Sequence, residues 1–148
     1  MTNSEPAAVH DLVRRFYQRL WNDWDDAAVD DTLAANLTFR GSLGKWTSGR
    51  DEWRAYRDQI RCGAPDFRTE IIDLIVEGHR AAAHLHFSGT HLGPLLGIPA
   101  TGRAFSYQGA AFFTVTDGLI TDVWVLGDLD NLRRQLTLPV SASSAKPA

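Results

Sequence analysis

Few side chains in this sequence have the type and spacing to move a proton, and the foremost lies near the C-terminal end. Asp128 closes the run Trp124-Val125-Leu126-Gly127-Asp128, which follows the turn sequence Thr116-Asp117-Gly118. Glycine in third place suits a bulged three-residue hairpin loop, because it adopts positive φ at no steric cost. In that register Phe112 faces Asp122, Ala110 faces Trp124, Gln108 faces Leu126 and Ser106 faces Asp128. All share one side of the hairpin, since directly paired residues point the same way. A two-residue loop would instead match Trp124 and Asp128 with Phe113, Ala111 and Gly109 and turn Gln108 away. The three-residue register sets Asp128 one repeat beyond an indole and diagonal to Gln108. A carboxylate beside an indole in a desolvated pocket has its charged form disfavoured, which raises its pKa toward the range of a general acid/base. Asp128 also opens Asp-Leu-Asp-Asn, a good helix start, so it suits the cap of a C-terminal helix as well. The two roles are compatible.

The other polar candidates are weaker. Asp122 and Asp128 are not a glycosidase pair, because six residues of strand span ~20 Å and paired acids stand ~5–10 Å apart. His84 and His86 lie two apart on one strand face, with His91 nearby. That spacing suits a metal, a pocket-lining proton relay, or two histidines on an outer sheet face, but no glutamate follows closely to complete a ligand set. No Gly-x-Ser-x-Gly elbow occurs, and Cys62 ends an amphipathic helix with no histidine placed beside it. Gly41-Ser42-Leu43-Gly44-Lys45 lacks the spacing of a phosphate loop.

These residues must be positioned by a small set of elements. Val9, Leu12, Val13, Phe16, Tyr17 and Leu20 follow the spacing of one buried helical face, with Ser4 as cap and Pro6 in the first turn. A turn at Trp21–Asp25 leads into a short second helix, capped by Asp23 or Asp25, with Ala27, Val29 and Leu33 inward. A short strand spans 36–40, a Gly/Ser-rich loop carrying Trp46 spans 41–49, and a third helix sets Trp53, Tyr56, Arg57 and Ile60 on one face before Gly63-Ala64-Pro65. The period then changes to two. Strands are expected over 67–76, 80–90, 103–115 and 119–128, with Ala81, Ala83, Leu85 and Phe87 opposite His84, His86 and Ser88. The connection 91–102 is too apolar to lie free in water, so it is expected to close a pocket mouth or meet a second subunit. A helix over 129–136 ends the body. Three helices followed by a meandering sheet make an α+β domain, and a curved sheet with helices in its concavity leaves an apolar cavity as the natural ligand site.

Composition bounds the rest. The chain has 148 residues, 44% hydrophobic and 22% charged, so it is long enough for one domain with a proper core. We read residues 1–138 as that domain and 139–148 as a disordered tail. Its net charge of −3 gives no reason to expect nucleic acid or an anionic membrane as partner. The polar, acidic start is unlike a signal peptide, and no apolar run approaches the ~20 residues of a membrane helix, so a cytoplasmic protein is expected. A single cysteine allows no internal disulfide and no thiolate cage.

Read in order, several segments resemble a known family. They are Phe16-Tyr17 and Leu20-Trp21-Asn22, Leu37-Thr38-Phe39-Arg40-Gly41, Ala64-Pro65-Asp66-Phe67, Ser88-Gly89-Thr90-His91-Leu92-Gly93, Gly97-Ile98-Pro99-Ala100-Thr101-Gly102-Arg103, Asp117-Gly118-Leu119-Ile120, and Trp124-Val125-Leu126-Gly127-Asp128 with Gln135-Leu136. From about residue 6 to 138 the chain resembles the SnoaL-like polyketide cyclases, or ester cyclases, of the nuclear-transport-factor-two-like superfamily. The resemblance implies a cone-shaped α+β fold, in which a curved antiparallel sheet wraps three N-terminal helices around a deep apolar pocket. It also implies a small hydrophobic or aromatic ligand, no cofactor, and assembly as a homodimer or homotetramer. Asp128 matches the family's acid/base aspartate by its place after the tryptophan. Arg40 stands where family members often carry a histidine, and Phe112 and Thr114 stand where polar residues are common.

The implied reaction is an intramolecular aldol closure. A carbon flanked by carbonyls is acidic enough for one positioned carboxylate to take its proton, and confinement brings the enolate onto a second carbonyl. Asp128 is the candidate acid/base, with Gln108 or His86 as oxyanion partner. Arg40, Trp46, Tyr56, Gln108, Phe112 and Trp124, together with Phe39, form the candidate substrate surface. The alternatives are a non-catalytic binder of a small hydrophobic ligand, or an isomerase or hydrolase acting on a small lipophilic substrate.

Overall fold

The computed structural model describes residues 5–138; Ser4 and the expected tail at 139–148 lie outside the described residues. Helix α1 (Glu5–Arg15) passes directly into a π-helical segment, Phe16–Asn22, and a 3-10 turn, Asp26–Ala28, leads to the one-turn helix α2 (Val29–Thr32). Strands β1 (Leu33–Arg40) and β2 (Trp46–Ser48), helix α3 (Gly49–Gly63), strands β3 (Arg68–Glu77), β4 (Arg80–Thr90), β5 (Ala104–Thr116) and β6 (Leu119–Gly127), and helix α4 (Leu129–Thr137) follow.

The first helix departs from the expected continuous α-helix. Beyond Arg15 the hydrogen bonds lengthen to i→i+5, as in the 3.0 Å bond from the Asp23 amide to the Gln18 carbonyl. A wider turn reduces the rotation between neighbours, so the adjacent pairs Phe16-Tyr17 and Leu20-Trp21 all face inward. Residues at i, i+4 and i+5 satisfy either helix type, which is why periodicity alone could not separate them. Ala27 faces solvent rather than the core. Asp25 caps the 3-10 turn by accepting from the Ala27 amide at 3.0 Å, and it is Ala28 that turns inward.

The six strands lie in the order β2-β1-β6-β5-β4-β3. All neighbours run antiparallel except β1 and β6, which are parallel, so the sheet is mixed. The meander from β3 to β6 alternates direction by itself. It ends beside β1, whose direction is set by the helices before it. Register shifts in the β1/β6, β3/β4 and β5/β6 pairs bend the strands, and the unclosed sheet curves around the helices. Leu37, Phe39, Leu85, Phe87, Phe113 and Val123 point inward to join Val13, Phe16, Leu20 and Trp53 in one core. No helix among the described residues is long and apolar enough to cross a membrane.

The final hairpin corrects the expected register. Asp117 and Gly118 both have positive φ, 53° and 79°, so the loop is a two-residue turn with Thr116 opposite Leu119. A bulge at Thr121 then inserts one residue, after which Phe112 pairs with Trp124 and Ala110 with Leu126. The pairings of the three-residue turn are therefore displaced by two. The bulge nevertheless restores the side: Gln108, Phe112 and Trp124 still share one face, and Asp128 follows at its end.

Candidate functional site

Between the concave sheet and the helices lies a small interior cavity lined by Phe16, Tyr17, Trp21, Phe39, Ser42, Tyr56, Ile60, Phe67, Phe87 and Val125. Its volume is about 20 Å³, room for about one water rather than the deep pocket expected. None of its lining side chains is charged. The carboxylate that an interior base would require is missing from the inner face of β6, where Val123 and Val125 point inward.

Polar character enters through hydroxyl and indole groups. Ser42 Oγ lies 2.9 Å from the Tyr107 hydroxyl, and Tyr56 meets both the Ser42 side chain and the Leu43 amide. Burial pushes the Tyr56 phenol up to about 12, and the bonds from Leu43 and Ser42 offset this only in part. Burial also raises Tyr17 and Tyr107 well above the ordinary phenol range. All three therefore keep their protons at neutral pH and serve as donors. Gly41 makes the approach of Tyr56 possible, since a Cβ there would sit 2.2 Å from the Tyr56 oxygen. Tyr17 Oη and Trp21 Nε1 are buried without a hydrogen-bond partner.

Outside this cavity is a surface groove of about 420 Å³ lined by Leu43, Lys45, Tyr56, Gln59, Ile60, Pro94, Leu95, Leu96 and Gly97. Tyr56 and Ile60 line both spaces and form a wall between them. The apolar connection expected to close a pocket mouth supplies the groove's other side. It is seated on the end of α3: the Leu92 and Gly93 amides donate to the Gly63 carbonyl at 2.9 and 3.0 Å, and Leu95 is buried. Buried His91 holds the two ends of this connection through Thr101 Oγ1 at 3.0 Å and the Ile98 carbonyl at 3.1 Å.

Of the candidate catalytic and substrate-binding residues read from the sequence, only Tyr56 and Phe39 line the cavity. Arg40, Trp46, Phe112 and Trp124 come together, but on the outer face of the sheet. The Arg40 guanidinium lies 5.0 Å from the Trp124 ring, Phe112 packs against Trp124 at 6.0 Å, and Trp46 is exposed beside Arg40. Gln108 is also outward, with Oε1 2.5 Å from His84 Nε2, and it is the strand partner of His86. His86 Nδ1 stands 3.9 Å from Glu70. Asp128 is exposed and caps α4 by accepting from the Asn131 amide at 3.2 Å, while its own amide donates to the Gln108 carbonyl at 2.9 Å. Its link to the interior is Gly127, where a Cβ would come within 3.1 Å of Ser42 and 3.0 Å of Tyr107. Among the described residues, no three His, Cys, Asp or Glu side chains converge as metal ligands do.

The family model of the SnoaL-like polyketide cyclases matches residues 11–136. This chain belongs to the SnoaL-like polyketide cyclase family. The fold is shared with a protein from Jannaschia sp. CCS1 assigned as a SnoaL-like polyketide cyclase, at TM-score 0.83 and 19% identity over 91% of this chain and 95% of that one. TsrD from Streptomyces laurentii is 33% identical, with TM-score 0.78, over 90% of this chain and 97% of its own. IdmH from Streptomyces antibioticus, assigned as a polyketide cyclase, superposes at TM-score 0.75 with 23% identity, covering 88% and 99%. No curated protein matches the chain.

Within this SnoaL-like frame, sequence reasoning missed Tyr17, Trp21 and Ser42 as cavity residues, and Tyr107 as the hydroxyl bonded to Ser42. The available signal was their place in the inward pattern: aromatic side chains with a polar tip seek a partner when buried, and a partner in a cavity is a ligand or water. Gln135, one of the motif residues, proves to be a structural clasp. Where β6 has ended, its side-chain amide accepts from the Ser106 amide at 3.0 Å and donates to the Ser106 carbonyl at 2.6 Å, so α4 completes the open edge of β5.

Proposed function

We propose that this chain promotes intramolecular aldol-type ring closure, or a related carbon-acid step, on a hydrophobic polyketide-like or aromatic carbonyl compound. The observation that carries this reading is the line of hydroxyls Tyr107–Ser42–Tyr56, of which Ser42 and Tyr56 line an apolar cavity. Fixed neutral donors in a water-poor site stabilise an enolate or alkoxide oxygen as its charge develops. Asp128, exposed one residue beyond Gly127 and accepting from the Asn131 amide through one carboxylate oxygen, serves as the base. It removes a proton from the carbon between two carbonyls. The enolate carbon then bonds to a second carbonyl carbon, and the resulting alkoxide takes the proton back from Asp128.

A second reading, ligand binding without turnover, is favoured by the wholly uncharged cavity lining. Solvent-deuterium incorporation into β-dicarbonyl esters and polycyclic keto-esters separates the two. The cyclase reading expects exchange catalysed by the wild type and lost in Asp128→Asn. Ligand-induced fluorescence change without exchange would replace it with the binder.

We further propose that the chain assembles as a homodimer or homotetramer through the outer sheet face. The residues Ile75, Ala82, Phe112, Trp124, Arg40 and Trp46 form one cross-strand row over all six strands. Arg80 and Asp122 flank it on one side and Glu70 and His86 on the other. A second copy related by a two-fold axis therefore meets apolar surface with apolar surface.

A further inference from the structure

We infer that the π-helical segment carries a two-donor site for the acceptor oxygen of a neutral carbonyl compound, formed by the Tyr17 hydroxyl and the Trp21 indole N–H. Both side chains line the interior cavity, and both are almost fully buried, at 3% and 5% exposure. Neither polar atom has a hydrogen-bond partner. A buried donor left unpaired costs stability that an apolar residue of similar shape would not, so two such donors on one cavity mark a place where an acceptor belongs. The local backbone agrees. Tyr17 and Trp21 are four apart within the only π-helical segment among the described residues, and such segments are frequent at functional sites.

The chemistry selects the occupant. Indole N–H can only donate, and Tyr17, held protonated by burial, donates as well. Two unpartnered donors on side chains that line one cavity suit an oxygen with two lone pairs, such as a ketone or quinone carbonyl. No lysine, arginine or histidine lines the cavity, so a carboxylate would arrive as an unpaired buried charge and is disfavoured. The present volume of about 20 Å³ accepts one water, which a carbonyl oxygen would replace. To seat the ligand's rings, the Tyr56 and Ile60 side chains, which line both spaces, must move aside and join the cavity to the 420 Å³ groove. Trp53 Nε1 is also unpartnered but does not line the cavity, so it is not part of the site.

This inference rests on the ligand-binding part of the proposed function and not on its base. The test compares 1-indanone, its hydrocarbon counterpart indane, and benzoate as probes, using calorimetric titration and the infrared C=O stretch of carbonyl-labelled indanone. The wild type is expected to bind indanone about tenfold more tightly than indane, since each neutral hydrogen bond contributes roughly threefold to tenfold. It should bind benzoate most weakly and lower the C=O frequency. Tyr17→Phe removes only an unpaired buried hydroxyl, so the variant folds. It is expected to lose about threefold or more of the indanone preference and part of the frequency shift, with indane affinity unchanged. Equal affinity of the wild type for indanone and indane, tightest binding of benzoate, no binding of any probe, or an unaltered preference in Tyr17→Phe would overturn the site. A wild type that shifts the carbonyl stretch but exchanges no deuterium keeps this site and removes the catalytic reading. Exchange without a shifted stretch does the reverse.

Discussion

Phe112 and Phe113 are neighbours on β5 and belong to different surfaces. Phe113 is fully buried, with its ring edge-on to Phe16 at 5.8 Å and to Tyr17 at 5.9 Å. Phe112 is 45% exposed on the outer face, against a tryptophan covered in turn by a guanidinium. The same alternation divides the whole sheet. Its inner face builds a core and a cavity whose polar atoms are hydroxyl and indole groups. Its outer face collects the residues that stand out in the sequence as chemical: His84, His86, Gln108, Arg40 and Trp124. Conspicuous chemistry and the inner cavity thus sit back to back, one strand thickness apart. An interior donor that looks like ordinary core is the better candidate for contact with an enclosed ligand.

Four measurements test this division of the sheet. The largest effect is expected from the phenylalanine pair. Phe113→Ala should cost about 3–5 kcal/mol in chemical denaturation, whereas Phe112→Ala should cost about 1 kcal/mol or less, because only the first leaves a core cavity. Sedimentation of Phe112→Glu should meanwhile show loss of assembly with the fold retained; similar unfolding costs for the two positions would erase the distinction. Next is Gly41→Ala. Its new Cβ collides with Tyr56, so thermal unfolding should report a loss of about 1–3 kcal/mol, with weakened ligand binding on the inner side only. The smallest concerns Asp122 on the outer side. Burial raises its carboxyl above the ordinary range and Arg80 opposes this. A raised folded-state pKa favours the protonated form, so the associated stability is present below the unfolded pKa and is lost as pH rises through the folded one. Compared with Asp122→Asn, the wild type should lose stability across that mildly acidic window, and a flat difference between the two would remove the assignment.

Much of the architecture was legible in the residues. The α3 face of Trp53, Tyr56, Arg57 and Ile60 is buried as read, and β4 alternates as read, because burial on one side imposes a period that survives in sequence. The candidate site was less legible. Alternation places Gln108, Phe112 and Trp124 together on one face, and that grouping holds. Which face looks toward the helices depends on where the rest of the chain packs. The hairpin shows the same limit locally: Asp117-Gly118 announces a turn, but the bulge at Thr121 that shifts every later pair has no mark of its own.

The order of three helical segments and a sheet, the inward residues of each element, the helix-capping role of Asp128 and the family itself follow from local pattern and segment order. These are properties of neighbouring residues, set by steric preference and by burial of one side. The parallel β1–β6 pair, the π-helical turn, the meeting of Tyr107, Ser42 and Tyr56, and the isolation of Tyr17 and Trp21 without partners were decided only in three dimensions. Each depends on groups far apart in the chain competing for the same interior space, and nothing local records which of them finds a hydrogen bond and which is left waiting for one.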